Sequence, residues 1–161
     1  MLRPALPSDL PFFHRLYMHP QTNPWLLYEP MDEASFRPIF EELLNRGFLH
    51  VFEQDGARLG MCKLMPMKHR NSHIIYLGGV AVEPDHAGKG LGRQMLIEAI
   101  ALAKQRGFTR IELTVATANP RAVGLYESLG FVNEGLLKNY TYLASEARYV
   151  DEFVMGLLLP G

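Results

Sequence analysis

The sequence predicts a mixed α/β (α+β) fold, with a mainly antiparallel sheet flanked by helices. Three observations carry this. Strand-like and helix-like patterns alternate along the whole chain. Asp55-Gly56 separates two apolar strand patterns, a hairpin signal that requires antiparallel neighbours. Ile74–Val82 is a nearly continuous apolar run ahead of a long helical pattern, as expected of a strand buried on both faces.

Taken in order, a short strand is expected at Leu2–Leu6. Pro7-Ser8-Asp9 opens a helix to about Met18, with Ser8 or Asp9 as its cap. Residues 19–31 hold Pro20, Pro24, Pro30, Trp25 and Tyr28, which reads as a loop with an apolar anchor. Asp32 caps a helix over Glu33–Arg46, stopped by Gly47. Strands follow at Phe48–Glu53 and Arg58–Met67, then a turn at His69–His73 and the strand Ile74–Val82. Gly78-Gly79 inside that last strand marks a bulge or the close approach of another group. Gly90–Arg106 is the clearest helix, with Leu91, Met95, Leu96, Ala99, Ile100 and Ala103 on one face. Arg110–Thr117 alternates as a half-covered strand. Asn119-Pro120 caps and starts a helix that Leu129-Gly130 ends, with Val123, Leu125 and Leu129 as its packing stripe. Phe131–Leu143 and Tyr149–Leu159 complete the sheet.

At 161 residues the chain is expected to form one domain, residues 1–161, with no separate regulatory domain. Sixteen Lys and Arg against 17 Asp and Glu give a net charge of -1, which disfavours binding nucleic acid through bulk charge. The lone cysteine, Cys62, permits neither an internal disulfide nor a cysteine zinc cluster, and reads as a buried small hydrophobe. No metal is expected, and the histidines are assigned to surface and loops. No apolar run reaches the ~20 residues that cross a bilayer, and no signal peptide is read at the N-terminus. A soluble cytoplasmic protein with no membrane partner is the expectation.

The chemistry is concentrated where the third long strand ends. Gly88, Gly90 and Gly92 stand at alternate positions between Val80-Ala81-Val82 and the longest helix. Glycine permits positive φ and close backbone approach. A helix start leaves four N–H groups unpartnered and carries partial positive charge. Together they suit a phosphate or pyrophosphate. A Walker loop is excluded because Gly90, rather than Ser or Thr, follows Lys89; a dinucleotide fingerprint is excluded by the glycine interval.

This segment resembles the acyl-CoA-binding motif of the GNAT superfamily of N-acetyltransferases, whose form is Gln or Arg, two residues, Gly, one residue, then Gly or Ala. Gly90 and Gly92 occupy the last two positions, and Ala87 departs from the usual Gln or Arg. A second segment, from Asn119-Pro120-Arg121-Ala122 through Leu125-Tyr126 to Gly130-Phe131, is similar to the family's downstream motif. The order of elements matches the family over nearly the whole chain.

The resemblance implies a GNAT-like acyl-CoA N-acyltransferase fold and acetyl-CoA as acyl donor. It implies that Val80, Ala81 and Val82 pair with the pantetheine arm, and that Ala87, Gly88, Lys89, Gly90, Leu91, Gly92 and Arg93 face the pyrophosphate. Asn119 is implied as a helix cap, a cofactor contact, or both. Tyr126 is implied as a cofactor contact and as the general acid that protonates or hydrogen-bonds the leaving thiolate. The base stays open among His73, Tyr76, Glu83, Glu112, Asp151, Glu152 and a water chain. The implied acceptor is a small-molecule amine, attacked directly in a ternary complex; a protein N-terminus or lysine is the alternative enzyme reading. A non-catalytic acyl-CoA sensor is the reading from another class. Family members are often dimers, so a homodimer is an allowed assembly, although no segment of the sequence marks an interface.

Overall fold

A computed structural model describes residues Met1–Gly161. Seven strands form one sheet in the order β1-β2-β3-β4-β5-β7-β6, with four helices. The elements are β1 (Leu2–Pro4), α1 (Leu10–Met18), α2 (Glu33–Asn45), β2 (Leu49–Gln54), β3 (Ala57–Pro66), β4 (Ile74–Val82), α3 (Leu91–Gln105), β5 (Arg110–Ala116), α4 (Pro120–Ser128), β6 (Val132–Leu143) and β7 (Arg148–Leu158). β1 with β2, β2 with β3, β5 with β7, and β6 with β7 are antiparallel; β4 with β5 is parallel. No helix is long and apolar enough to cross a membrane.

The chain divides into two compact units, Met1–Leu64 with Gly79–Ala99, and Met65–Gly78 with Ile100–Gly161. The boundary falls inside β4 at Gly78/Gly79 and inside α3 at Ala99/Ile100.

The first unit is built on aromatic packing. Phe12, Phe13, Leu16 and Tyr17 of α1 meet Phe36 and Phe40 of α2 over Leu49, Val51, Met61 and Ala81 of the strands. Phe13, Phe36 and Phe40 are essentially inaccessible, so truncating any one to alanine costs about 3–5 kcal/mol. The β2–β3 hairpin is the predicted one: Gln54 pairs with Ala57 across Asp55 (φ 51°) and Gly56 (φ 76°). Asp32 caps α2 by accepting a 2.8 Å hydrogen bond from the Ser35 N–H.

The expected strand Leu2–Leu6 is shorter, and α1 starts only at Leu10 after a 3₁₀ turn at Pro7–Asp9. Asp9 stands at the N-cap position of α1, one of the two residues expected there, but its side chain makes no capping hydrogen bond. The Asp9 carboxylate, fully buried, is taken up by Arg3 (2.8 Å), Arg58 (2.6 Å) and the Leu6 N–H (2.7 Å). Two guanidiniums outcompete a helix amide, since charge-assisted bonds are roughly twice as strong as neutral ones. The histidines depart from the surface assignment at His50, which is buried in β2, and at His14, which packs on Phe36 from α1.

In the second unit, Ile111, Leu113 and Val115 alternate into the core from β5. Arg110 donates to Glu112 at 3.0 Å and to Glu134 at 3.1 Å. Gly156 leaves room for this clamp: a β-carbon there would stand 2.6 Å from Glu134 Oε1 and 2.7 Å from Arg110 Nη1. The β6–β7 register shifts between Asn133 and Gly135 and between Leu137 and Thr141. In α4 the expected stripe of Val123, Leu125 and Leu129 is only half-buried; Tyr126 is the one buried residue.

Candidate functional site

β4 is buried at Ile74, Ile75, Leu77 and Ala81, but only half-buried from Gly78 to Val80, so it is not closed on both faces throughout. Its pairing with β5 runs from Ile74↔Arg110 to Tyr76↔Glu112 and ends there. Gly79 then takes φ +57°, a left-handed conformation that breaks the strand's alternation. A β-carbon on Gly79 would meet the Tyr17 Oη at 2.5 Å and the Lys63 Cε at 3.3 Å.

Beyond Val82, Glu83 is fixed at both ends. Its N–H donates to the Leu59 carbonyl at 2.8 Å, and its carboxylate is paired with Arg15. A 3₁₀ turn at Pro84–His86 follows, and the Ala87 N–H donates back to the Pro84 carbonyl at 3.1 Å. Gly88 (φ 80°) and Gly90 (φ 77°) are both left-handed, one on each side of Lys89. The Gln94 N–H bonds the Gly90 carbonyl at 3.1 Å, so α3 winds from Gly90 and the N–H groups of Leu91, Gly92 and Arg93 precede its first internal bond. Gly88, Lys89, Gly90 and Arg93 are exposed, while Leu91 packs with Phe52, Leu59 and Met95. The side chain of Leu91 therefore anchors the start of α3 in the apolar cluster. Val80 and Val82 pack against the same cluster.

In the second unit, Asn119 Oδ1 accepts from the Ala122 N–H at 3.3 Å, which is the helix-capping role. Tyr126 packs edge-on to Phe131 at 5.7 Å between ring centres. One face of the sheet there carries Tyr76, Glu112 and Thr114 with Val154 and Glu152, because paired and alternate residues share a side. Tyr76 Oη and Thr114 Oγ1 are 3.0 Å apart. Burial raises the Tyr76 phenol above its ordinary range; the Thr114 hydrogen bond opposes this, and Tyr140 and Glu152 add to it. Thr141 donates to the Glu152 carboxylate.

Of the other base candidates, Glu83 is held by Arg15, Glu112 by Arg110, and Asp151 accepts from the Asn139 N–H. His73 is exposed in the turn before β4. Of the two carboxylates on the Tyr76–Thr114 face, Glu112 and Glu152, only Glu112 is ion-paired, with Arg110. Cys62 is fully buried, and burial alone pushes its thiol up to about 12. It is a packed hydrophobe with negligible thiolate at neutral pH.

One group of polar side chains escaped the sequence reading. Lys63 on β3 is 4% exposed. Its Nζ lies 3.4 Å from Tyr28 Oη and 5.2 Å from the centre of the Tyr28 ring, with no carboxylate paired to it. Burying an ammonium costs several kcal/mol, and a desolvated cation–π contact returns about 2 kcal/mol. Burial accordingly lowers the Lys63 pKa. Beside it the Tyr17 Oη is buried without a hydrogen-bond partner, and burial raises that phenol well above its ordinary range. The signal available in the sequence was a single lysine inside an apolar strand pattern.

The acetyltransferase (GNAT) family profile matches residues 10–131. The [ribosomal protein bS18]-alanine N-acetyltransferase of Escherichia coli K12 is 38% identical over 150 residues, 93% of this chain and 91% of that protein. The spermidine N(1)-acetyltransferase of Vibrio cholerae is 30% identical over 174 residues, 98% of this chain and 91% of that protein. The phosphinothricin N-acetyltransferase of Alcaligenes faecalis is 28% identical over 153 residues, covering 92% and 77%. Among solved structures, the spermidine N-acetyltransferase of Vibrio cholerae in complex with CoA and spermine superposes with a TM-score of 0.86 at 25% identity, covering 98% of this chain and 94% of that one. The phosphinothricin acetyltransferase of Sinorhizobium meliloti in complex with AcCoA gives 0.80 at 25% identity, covering 99% and 88%.

Proposed function

The chain belongs to the acetyltransferase (GNAT) family and is an N-acetyltransferase; from that premise we propose that it moves the acetyl group of acetyl-CoA to the primary amine of a small metabolite or amino acid, by direct attack in a ternary complex. The observation that carries the donor assignment is the left-handed Gly88 and Gly90 turn leading into α3. It supports a pyrophosphate held by the N–H groups of Leu91, Gly92 and Arg93, with the helix dipole adding to the attraction. Lys89 and Arg93, both exposed at this turn, supply positive charge without depending on the residue at 87. The strand edge at Val80, Ala81 and Val82 supplies main-chain partners for the amides of the pantetheine arm. Solved relatives in complex with CoA and AcCoA support the same donor.

Direct attack is supported by the burial of Cys62, which leaves no reactive thiol to carry an acyl intermediate. In our reading the acceptor amine reaches the thioester carbonyl as the free base. Glu152 takes its proton, directly or through water, and Tyr126 donates to the departing thiolate. A phenol with pKa near 10 stays protonated at neutral pH, so it acts as a hydrogen-bond donor to sulfur as much as a full acid. Asn119 holds the α4 start from which Tyr126 is presented.

The 38% identity to the ribosomal-protein alanine acetyltransferase favours a second reading, in which the acceptor is a protein N-terminus. Thiol release from acetyl-CoA distinguishes the two when free amino acids, spermidine and an alanine-terminated peptide are compared. A small amine as the best acceptor supports the first reading, and the peptide supports the second.

A further inference from the structure

We propose that Lys63, Tyr17 and Tyr28 form a subsite for the carboxylate of the acceptor, so that the substrate class is a free amino acid rather than a polyamine or a polypeptide N-terminus. The inference rests on the N-acetyltransferase reading and narrows its acceptor.

The three side chains are short of hydrogen-bond partners. Lys63 Nζ carries three donors, and its one protein partner is the Tyr28 hydroxyl at 3.4 Å. Tyr17 Oη is buried with no partner. Both hydroxyls and the ammonium can donate, and no carboxylate is ion-paired with Lys63. Such a set is short of an acceptor, and a carboxylate supplies up to four lone-pair sites with the opposite charge. Buried polar groups in native proteins are normally satisfied, which makes an orphaned phenol beside an unpaired ammonium a mark of an absent ligand.

The cluster also adjoins the strand assigned to the donor. Tyr17 Oη and Lys63 Cε both stand against Gly79, within 2.5 and 3.3 Å of where its β-carbon would be. Gly79 directly precedes Val80–Val82, the edge assigned to the pantetheine arm. The cluster is held in place from above. Asn23 Nδ2 donates to the Tyr17 carbonyl at 2.8 Å and to the Tyr28 carbonyl at 2.9 Å, which ties the 19–31 loop to α1. Tyr28 is half-buried, and its ring packs on Tyr17 at 5.2 Å between ring centres and on Lys63 Nζ at 5.2 Å.

Charge separates the acceptor classes. A polyamine would bring a second ammonium toward Lys63. A polypeptide N-terminus would offer only a neutral carbonyl next to its amine. A free amino acid places a carboxylate one carbon from the attacking nitrogen, and forms the pair that Lys63 lacks.

The test compares acetyl transfer to the free α-amino acids with transfer to their C-terminal amides. The best acid is expected to exceed its amide at least tenfold in kcat/KM. Lys63→Met and Tyr17→Phe should each raise the KM for that acid about tenfold and narrow the preference for acid over amide, leaving the KM for acetyl-CoA within twofold. Tyr17→Phe removes only an unpartnered oxygen, so its melting temperature should hold, and a merely structural role would leave the KM for the acid unchanged. Equal use of acid and amide, or an unchanged KM in both variants, overturns the subsite while the N-acetyltransferase reading stands. Turnover of a peptide or spermidine but of no amino acid does the same. Failure to bind acetyl-CoA defeats the donor assignment first and takes the subsite with it.

Discussion

The phenol oxygen of Tyr17 occupies the space that a β-carbon on Gly79 would need, at 2.5 Å. The strand proposed to hold the acyl donor and the helix that closes the aromatic core are thus fitted to each other through a glycine. Gly79 also sits at φ +57°, which costs any L-residue about 1–2 kcal/mol. Tyr17 is fully buried among Tyr28 and Phe36 and has no room to retreat. Gly79→Ala should therefore lose about 2–4 kcal/mol of stability, combining backbone strain with overpacking. Urea unfolding checks this, and a change under 1 kcal/mol would show that the helix and strand yield easily.

Tyr126→Phe should lower kcat about a hundredfold with the KM for acetyl-CoA nearly unchanged. The phenyl ring keeps the edge-on contact with Phe131, so the melting temperature should move little. Glu152→Gln should lower kcat by a similar factor, through loss of the proton acceptor on the Tyr76–Thr114 face. Steady-state kinetics of both variants, with near-isosteric side chains, separate chemistry from folding. A wild-type kcat in either removes that residue from the mechanism.

Gly90→Ala has a different signature. No atom lies within 4 Å of the added carbon, so only the left-handed backbone, at φ +77°, resists the substitution. Leu91 still anchors the helix start in its apolar cluster. The expected result is a roughly tenfold rise in the KM for acetyl-CoA, from about 1–2 kcal/mol of strain expressed at the turn, with kcat retained. Binding of CoA by calorimetry provides the check, since a lost turn geometry weakens CoA as well.

Asp9 sets the acid limb of stability. Burial alone would raise its pKa, but the hydrogen bonds from Arg3, Leu6 and Arg58 outweigh burial and bring it down to about 2. A folded-state pKa below the unfolded value of 3.8 gives stabilisation that is present above 3.8 and lost as pH falls toward 2. The size is about 2 kcal/mol. Asp9→Asn should flatten the fall in unfolding free energy between pH 5 and pH 2 by that amount. An identical pH slope in the variant would contradict the assignment.

The elements were legible where a local signal sufficed. Asp55-Gly56 set its hairpin, Asp32 capped α2, and the Gly88–Gly92 spacing marked the turn before α3. Where tertiary partners competed, local rules failed. Asp9 reads as a helix cap until Arg3 and Arg58, 6 and 49 residues away in sequence, claim its carboxylate. Tyr126 outranks Val123, Leu125 and Leu129 in burial because Phe131 returns against it, a contact that helical periodicity within α4 does not encode. The Lys63 cluster was invisible for the same reason. Its members lie on α1, the following loop, β3 and β4, and nothing local pairs them.

The central claim is acetyl transfer to a small amine without a covalent enzyme intermediate. It is tested most directly by initial rates of thiol release, with acetyl-CoA and the best small acceptor varied together. Release should require the amine, with intersecting double-reciprocal lines. Acetyl-CoA binding with no release to any amine, or parallel lines that signal an acyl-enzyme, would contradict it.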